Sequence, residues 1–528
     1  MPPFMTDHER RLVRFLSQPG HYPHPVGRIV RRETHVSHVF LAGAFAYKVK
    51  KPVRFPFLDA STLARRRRFC RLELSLNRRL APTTYLGMVP ITERAGRWQL
   101  GGRGRVVEWA VQMRRLPENR MLDRLIHRIT RRQMEQVGAR LWPFFRRAAR
   151  SRAIDHFGTP TSVATLVLGN LQECQPFVGR LLPERDRAFL DAAYRQFLTL
   201  QEPVLARRVR ERRIIDGHGD LRCENICLTD PVAVFDCVEF QPAFRCGDIV
   251  NDLAFLLMDL ESRGRGDLAR VLIQAYRRRM RDPACNQLLP FYQCHRSLVR
   301  GKVRGLAWLQ HPRSAEGRRV RHLSRQHFQL AVEYARQFAP PRLIVVGGLI
   351  GTGKSTLAGG LARSLGAVWL RTDAIRRTEF TRFRRKRQGF SEGLYAPHVS
   401  DLVYQQLIRR TETLLREGRS VVCDGTFSKA PGRALLRDMA RRCGASFHFF
   451  ECAVPRAVAL RRVAKRAAAG RDWSQAQPEH YDRLAAGYES VRGWAPRDWT
   501  RLSDNRQPEA TLTAALSTLR CVWPFQAA

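Results

Sequence analysis

Residues Leu343 to Val346 form an apolar run too short for a helix and suited to a strand buried on both faces. A glycine-bearing turn follows, and Leu357, Ala358, Leu361 and Ala362 then recur at helical spacing. Val368–Leu370, Val421–Asp424 and Ser446–Cys452 read as three further strands, and residues 455–468 as a helix. Alternation of buried strands with helical stretches predicts an α/β unit, a parallel sheet with helices on both faces.

The earlier part of the chain has a different rhythm. Val36–Leu41 and Ala44–Val49 read as β-runs joined by an Ala42-Gly43 turn. A helix is expected over 61–80, with Leu63, Phe69, Leu72 and Leu76 on one side. Glu108–Arg114 reads as another strand, leading through residues 113–118 as a hinge. Long amphipathic stretches cover 131–150 and 184–210, and the apolar run Val232–Phe235 ends at Asp236. This half predicts a two-lobed α+β unit. Residues 312–338 are basic and helical in pattern, ending at Phe338-Ala339-Pro340-Pro341. Two prolines before a strand mark a boundary, giving domains 1–338 (core about 25–310) and 339–528.

Composition narrows the setting. The longest apolar runs, Leu343–Ile350 and Leu253–Met258, are far shorter than the roughly 18 residues of a membrane span. No secretory pattern opens the chain, and the 12 cysteines show no stapling rhythm, so a cytoplasmic protein without membrane partners is expected. The net charge is +46, yet eight of the 93 basic residues are lysine and the rest arginine, the skew of a GC-rich coding composition. Clusters such as Arg65–Arg68 and Arg382–Arg387 lack a repeated pattern of interleaved aromatics. Solvated helical faces are the favoured reading, with nucleic acid a possible partner. In such a chain Lys48-Val49-Lys50-Lys51 stands out, because lysine is a compact point charge that arginine does not replace.

Gly348, four residues, then Gly353-Lys354-Ser355 satisfies G-x-x-x-x-G-K-[ST], and strand and helix flank it as that phosphate site requires. Gly348, Gly351 and Gly353 let the backbone curl so that amides, including those of Thr352 and Thr356, point at phosphate oxygens. Lys354 is placed to reach the β/γ phosphates and Ser355 to ligate Mg²⁺. The second cluster is His218-Gly219-Asp220, then Asn225, then a short strand ending in Asp236. It sets one carboxylate, Asp220, to accept a hydroxyl proton, and Asn225 with Asp236 on Mg²⁺. Upstream, Ala46-Tyr47-Lys48 ends a strand in the A-x-K form of kinase-like folds, with Glu73 its expected ion-pair partner.

These motifs resemble the aminoglycoside phosphotransferases, which have HGD where protein kinases have HRD. Val234-Phe235-Asp236-Cys237 stands where protein kinases have DFG, and Gly247-Asp248 with Asn251-Asp252-Leu253-Ala254 resembles that family's following segment. Asp248 and Asp252 fit helix capping and loop bracing as well as they fit catalysis. The glycine-rich loop expected before Lys48 is thin, no acidic face suits a polycationic acceptor, and antibiotic modification is not expected. In the second half, Asp373-x-x-Arg376 resembles P-loop small-molecule and polynucleotide kinases and zeta-type toxins. That likeness implies Asp373 as base and Arg376 as a substrate-holding cation. Leu394–Pro397 and the helix through Tyr404 suit an acceptor wall. Val421–Asp424 followed by Gly425-Thr426-Phe427 is similar to a Walker-B-type strand, with Asp424 on Mg²⁺ through water. Arg461, Arg462 and Arg466 lie on a lid-like helix from which one would cover the transferring phosphoryl group. The layout is similar to bacterial bifunctional proteins pairing a phosphotransferase-like unit with a P-loop unit. It implies two ATP/Mg²⁺ sites acting on small-molecule hydroxyls. The alternatives are a polynucleotide 5′-hydroxyl kinase and a regulatory ATP-binding protein with a degenerate first site.

Overall fold

In a computed structural model, residues 5–55, 58–380, 396–469, 478–503 and 507–523 are described. They form two compact units, residues 1–166 with 205–330 and residues 167–204 with 331–528.

The first unit opens with a six-stranded antiparallel sheet. Its order is Ile29–Glu33, Ser37–Ala42, Phe45–Lys50, Arg105–Arg114, Tyr85–Arg94, Arg97–Leu100. The tight turn at Gly43 needs its positive φ of 59°, and a side chain there would press on the Pro25 carbonyl. Alternation along the strands sorts two layers. Phe40, Tyr47, Val49 and Ile91 meet Leu12, Phe15 and Leu16 of helix Asp7–Leu16 on one face. Leu41, Ala46, Tyr85, Val111 and Met113 gather with Cys70 on the other.

Cys70 belongs to helix Leu63–Asn77, whose buried residues are Arg66, Cys70, Glu73, Leu76 and Asn77. The expected apolar side is therefore corrected: Leu63, Phe69 and Leu72 are only half-buried. The face turned inward is polar because it is paired there, Arg66 with Glu108 at 2.7 Å and Glu73 with two lysines. The second lobe of this unit is helical. Ile249–Ser262, buried from 249 to 260, packs on Cys285–Gln310 and Gly266–Met280, and Gly266–Met280 packs on Arg131–Arg147. A sheet lobe with one tucked helix, followed by a helical lobe, is the protein-kinase-like architecture.

The second unit is built on a five-stranded parallel sheet ordered Val368–Arg371, Val421–Asp424, Arg342–Gly348, Ser446–Ala453, Trp499–Ser503. Its central strand shows why the sheet is covered twice. Leu343 and Val345 face helices Pro397–Arg416 and Ala430–Arg442, through Val403, Leu407, Leu436 and Met439. Ile344 and Val346 face helices Lys354–Leu365, Pro508–Val522 and Glu184–Leu200, through Leu357, Leu361, Leu519 and Leu200. Val421–Asp424 is a strand with the expected limits, whereas Trp499–Ser503 was not anticipated. Asp373 lies in the first turn of helix Thr372–Glu379 rather than on the strand before it. Leu394, Tyr395 and the Arg382–Arg387 cluster lie outside the described residues.

Candidate functional site

Lys48 and Lys50 are two residues apart on one strand, so both point to the same side of the sheet. Lys48 Nζ lies 2.7 Å from Glu73 Oε1 and 2.6 Å from Asp236 Oδ1. Lys50 Nζ lies 2.5 Å from Glu73 Oε2 and also pairs with Glu239. Glu73 is wholly buried, which opposes its charge, but Lys48 and then Lys50 hold it below the usual carboxylate range. Burial opposes the charge of Lys48 too, and Asp236 and Glu73 outweigh it, so the amine stays protonated.

Asp236 has φ of +62°, a left-handed conformation uncommon for a residue with a side chain. Its amide donates to the Tyr85 hydroxyl at 3.3 Å, and the next amide, of Cys237, donates to Asn77 Oδ1 at 2.9 Å. The turn that presents Asp236 is thus tied to the helix carrying Glu73.

The loop bearing Asp220 is braced from below. Asp252 accepts from the amides of His218 (2.5 Å) and Gly219 (2.8 Å), and the His218 ring nitrogen bonds the Phe235 carbonyl at 3.1 Å. Asp248 caps helix Ile249–Ser262 and pairs with Arg208, so both acids have structural work in the loop's support. Asp220 receives Arg222 at 2.6 and 2.9 Å, and Asn225 Nδ2 at 2.9 Å. Burial would raise its pKa, but Arg222, then Arg300 and His218, bring it down to about 2. The carboxylate is ionised and fixed in direction.

In the second unit the loop after the central strand turns on Gly348, Gly351 and Gly353, with φ of 139°, 75° and 87°. A Cβ on Gly348 would fall 2.3 Å from the Cys452 carbonyl oxygen, and one on Gly351 would fall 2.5 Å from that of Ala459. The glycines are required by close packing as well as by conformation. Thr352 Oγ1 and Lys354 Nζ both donate to the Leu349 carbonyl, at 2.8 and 3.1 Å, and the Thr356 amide donates to Gly353 O at 3.1 Å. Helix Lys354–Leu365 starts immediately after this loop.

Asp424, at the end of the neighbouring strand, hydrogen-bonds Ser355. Burial pushes its pKa up, against the opposing pull of Lys354, Ser355 and Arg371. The half-buried Tyr404 accepts at its hydroxyl from the Phe427 amide at 3.1 Å and lies within the electrostatic reach of Arg376, Asp373 and Asp424. Arg376 Nη1 donates to Ser400 Oγ at 3.2 Å. Arg462, on helix Arg456–Ala469, brings Nη1 within 3.8 Å of where a Gly353 Cβ would lie; Arg466 lies one turn further along.

Among the described residues no group of three or more His, Cys, Asp or Glu side chains is arranged to hold a metal. Each locus instead offers one or two protein oxygens, from Asn225 and Asp236 or from Ser355 and Asp424. That donor set fits Mg²⁺, which is commonly held by few protein oxygens together with substrate phosphates.

Lys50, Glu239, Asn77 and Arg222 were not anticipated as parts of the first site. The pattern held a signal for Lys50, because alternation in Lys48-x-Lys50 puts both amines on one face. For Asn77 and Arg222 no local signal exists, since their contacts are made across the fold or within an irregular loop.

Over 448 residues the chain is 34% identical to the uncharacterized protein Rv2004c of Mycobacterium tuberculosis, covering 84% of this chain and 87% of that protein. The uncharacterized protein Mb2027c of Mycobacterium bovis matches to the same extent. The chain belongs to their family. Within this family member, residues 343–491 match the family described as AAA domain. Among solved structures, a sugar kinase from Janibacter sp. HTCC2649 is 22% identical, with 35% of this chain and 98% of that one covered at a TM-score of 0.28. A choline/ethanolamine kinase family protein from Mesorhizobium loti is 14% identical, with 58% and 93% covered at a TM-score of 0.35. The family member thus joins a P-loop unit to a unit of protein-kinase-like fold.

Proposed function

We propose that the chain is an ATP-dependent phosphotransferase with two nucleotide sites, one in residues 1–338 and one in 339–528, each serving a small-molecule hydroxyl. The observation that carries this reading is Lys48 held between Glu73 and Asp236. An amine oriented by a buried acid, beside a second acid suited to metal, is the arrangement a kinase-like fold uses on nucleotide phosphates. Lys48 would bind the α/β phosphates, and Asn225 with Asp236 would hold Mg²⁺. The ion would neutralise phosphate charge. Asp220 would take the proton of the acceptor hydroxyl as that oxygen bonds to the γ-phosphorus and ADP leaves. With a pKa of about 2, Asp220 is a weak base. In a loose phosphoryl-transfer transition state its orientation of the hydroxyl matters more than its basicity.

In the second site the loop amides and Lys354 would bind the β/γ phosphates, and Ser355 with Asp424 would hold Mg²⁺. Asp373 would act as base beside Arg376 and Tyr404. Arg462 and Arg466 would face the transferring group from the lid helix. ATP dependence and the free thiols among the described residues support a cytoplasmic setting.

The test is label transfer from γ-labelled ATP into a pool of small hydroxyl compounds. Asp220→Asn and Asp373→Asn are each expected to abolish a distinct set of labelled products. Unchanged labelling in both variants would remove the two-site assignment.

A further inference from the structure

Helix Cys285–Gln310 sets Arg296, Arg300 and Arg304 four residues apart, on one face directed at the Asp220 loop. The first is fully used: Arg296 donates to Asn251 Oδ1 at 2.8 Å and to the Gly219 carbonyl at 3.1 Å. The next two are not. Arg300, with 12% of its side chain exposed, has Glu224 as its nearest acid, at 3.9 Å. That same Glu224 oxygen already accepts from Arg263 at 3.0 Å, while Arg222 takes the other one. Arg300 Nε has no hydrogen-bond partner. Arg304, half-buried, makes no hydrogen bond or ion pair among the described residues.

Two guanidiniums held partly out of water, with one long ion pair (Arg300 to Glu224) between them, carry a desolvation cost that folding alone does not justify. Burial, then Arg300, brings Arg304 down to about 10, and the same arginines and burial bring His327 down to about 2. The neighbourhood sets Arg222, Arg263, Arg300 and Arg304 against the acids Asp220, Glu224 and Asp259, an excess of positive charge. It is also next to the chemistry: Arg300 acts electrostatically on both Asp220 and Glu224, and Arg222 bonds both of those acids.

Resting on the reading of Asp220 as the residue that takes the acceptor proton, we infer that the first site's acceptor carries an oxyanion, a phosphate ester or a carboxylate, recognised by Arg300 and Arg304. A guanidinium presents a fixed fork of donors that matches both groups in two-point fashion. The hydroxyl to be phosphorylated would lie against Asp220 while the anionic group engages the two arginines. A cationic or uncharged acceptor would leave them without partners.

The probes are inorganic phosphate and acetate, titrated by ³¹P and ¹H NMR into the full chain carrying Lys354→Ala, which removes the P-loop lysine. Phosphate is expected to bind, and Arg304→Met or Arg300→Met to weaken it by about tenfold or more. Arg304→Met is the decisive variant, since it breaks no bond within the protein and its fold is checked by thermal melting. Acetate displacing phosphate assigns the acceptor to hydroxy acids as well as phosphate esters; acetate failing to displace it assigns phosphate esters. Phosphate that does not bind, or binds Arg304→Met as well as its parent, overturns the inference. The nucleotide reading fails separately, if ATP titrated into the same Lys354→Ala chain shows no binding.

Discussion

Glu73 is the residue on which the first site depends. It is wholly buried and joins two lysines that would otherwise face each other uncompensated. Removing one member of a buried pair leaves charge without a partner, which costs about 3–5 kcal/mol. Glu73→Ala is therefore expected to lower the unfolding free energy of the chain by about that amount in urea, and to weaken ATP binding at the first site. Lys50→Met, which leaves the Lys48–Glu73 contact, should cost less binding than Glu73→Ala. Asp220 behaves oppositely to a buried acid without partners. Its folded pKa, about 2, lies below the ordinary value of about 3.9. It therefore favours the native state in full above about pH 4, and that contribution disappears as pH falls through about 2. The stability gap between the parent chain and Asp220→Asn, followed by denaturant titration from pH 6 downward, should be constant to about pH 4 and narrow below it. A gap already closing near pH 6 would mean that Arg222 does not hold the carboxylate as described.

At the scale of elements, the glycine loop and helix Leu63–Asn77 show which parts of the site were legible. The loop could be read because its constraint is local: strand, glycines, lysine and helix follow one another in the chain. Gly348→Ala tests it directly, since φ of 139° and a carbonyl 2.3 Å from the new Cβ forbid the substitution without movement. It should cost about 1–3 kcal/mol and abolish binding at the P-loop, read by ATP titration into a Lys48→Ala background. Strand Val421–Asp424 was legible for a related reason, as a run buried on both faces carries no polar alternation to confuse it. Trp499–Ser503 was not, because an edge strand with half-exposed Thr500 and Leu502 and exposed Arg501 resembles a loop. Helix Leu63–Asn77 was found but its face was misjudged. Hydrophobic periodicity assumes that what is buried is apolar, and here the buried stripe sets Arg66, Glu73 and Asn77 among Cys70 and Leu76. Helix Glu184–Leu200 teaches the same lesson at longer range. It packs on helix Lys354–Leu365, and nothing in its amphipathic pattern says which core it joins.

Across the whole molecule, the charge of +46 reads differently once side chains are placed. Arg208 is buried between Asp248 and Asp282, Arg66 is buried on Glu108, and Arg433 is buried on the carbonyls of Phe427 and Glu489. Arginine serves here as internal scaffolding as well as surface. A 5′-hydroxyl oligonucleotide is therefore expected to accept no label from γ-labelled ATP, and label on it would favour a polynucleotide substrate instead. Two separate nucleotide sites are proposed in one chain, and calorimetric titration of Mg²⁺·ATP counts them. The parent chain should bind two equivalents, and Lys48→Ala and Lys354→Ala should each bind one, with the double variant binding none. A parent chain that binds one equivalent, or a Lys48→Ala chain that still binds two, would rule out a pair of sites.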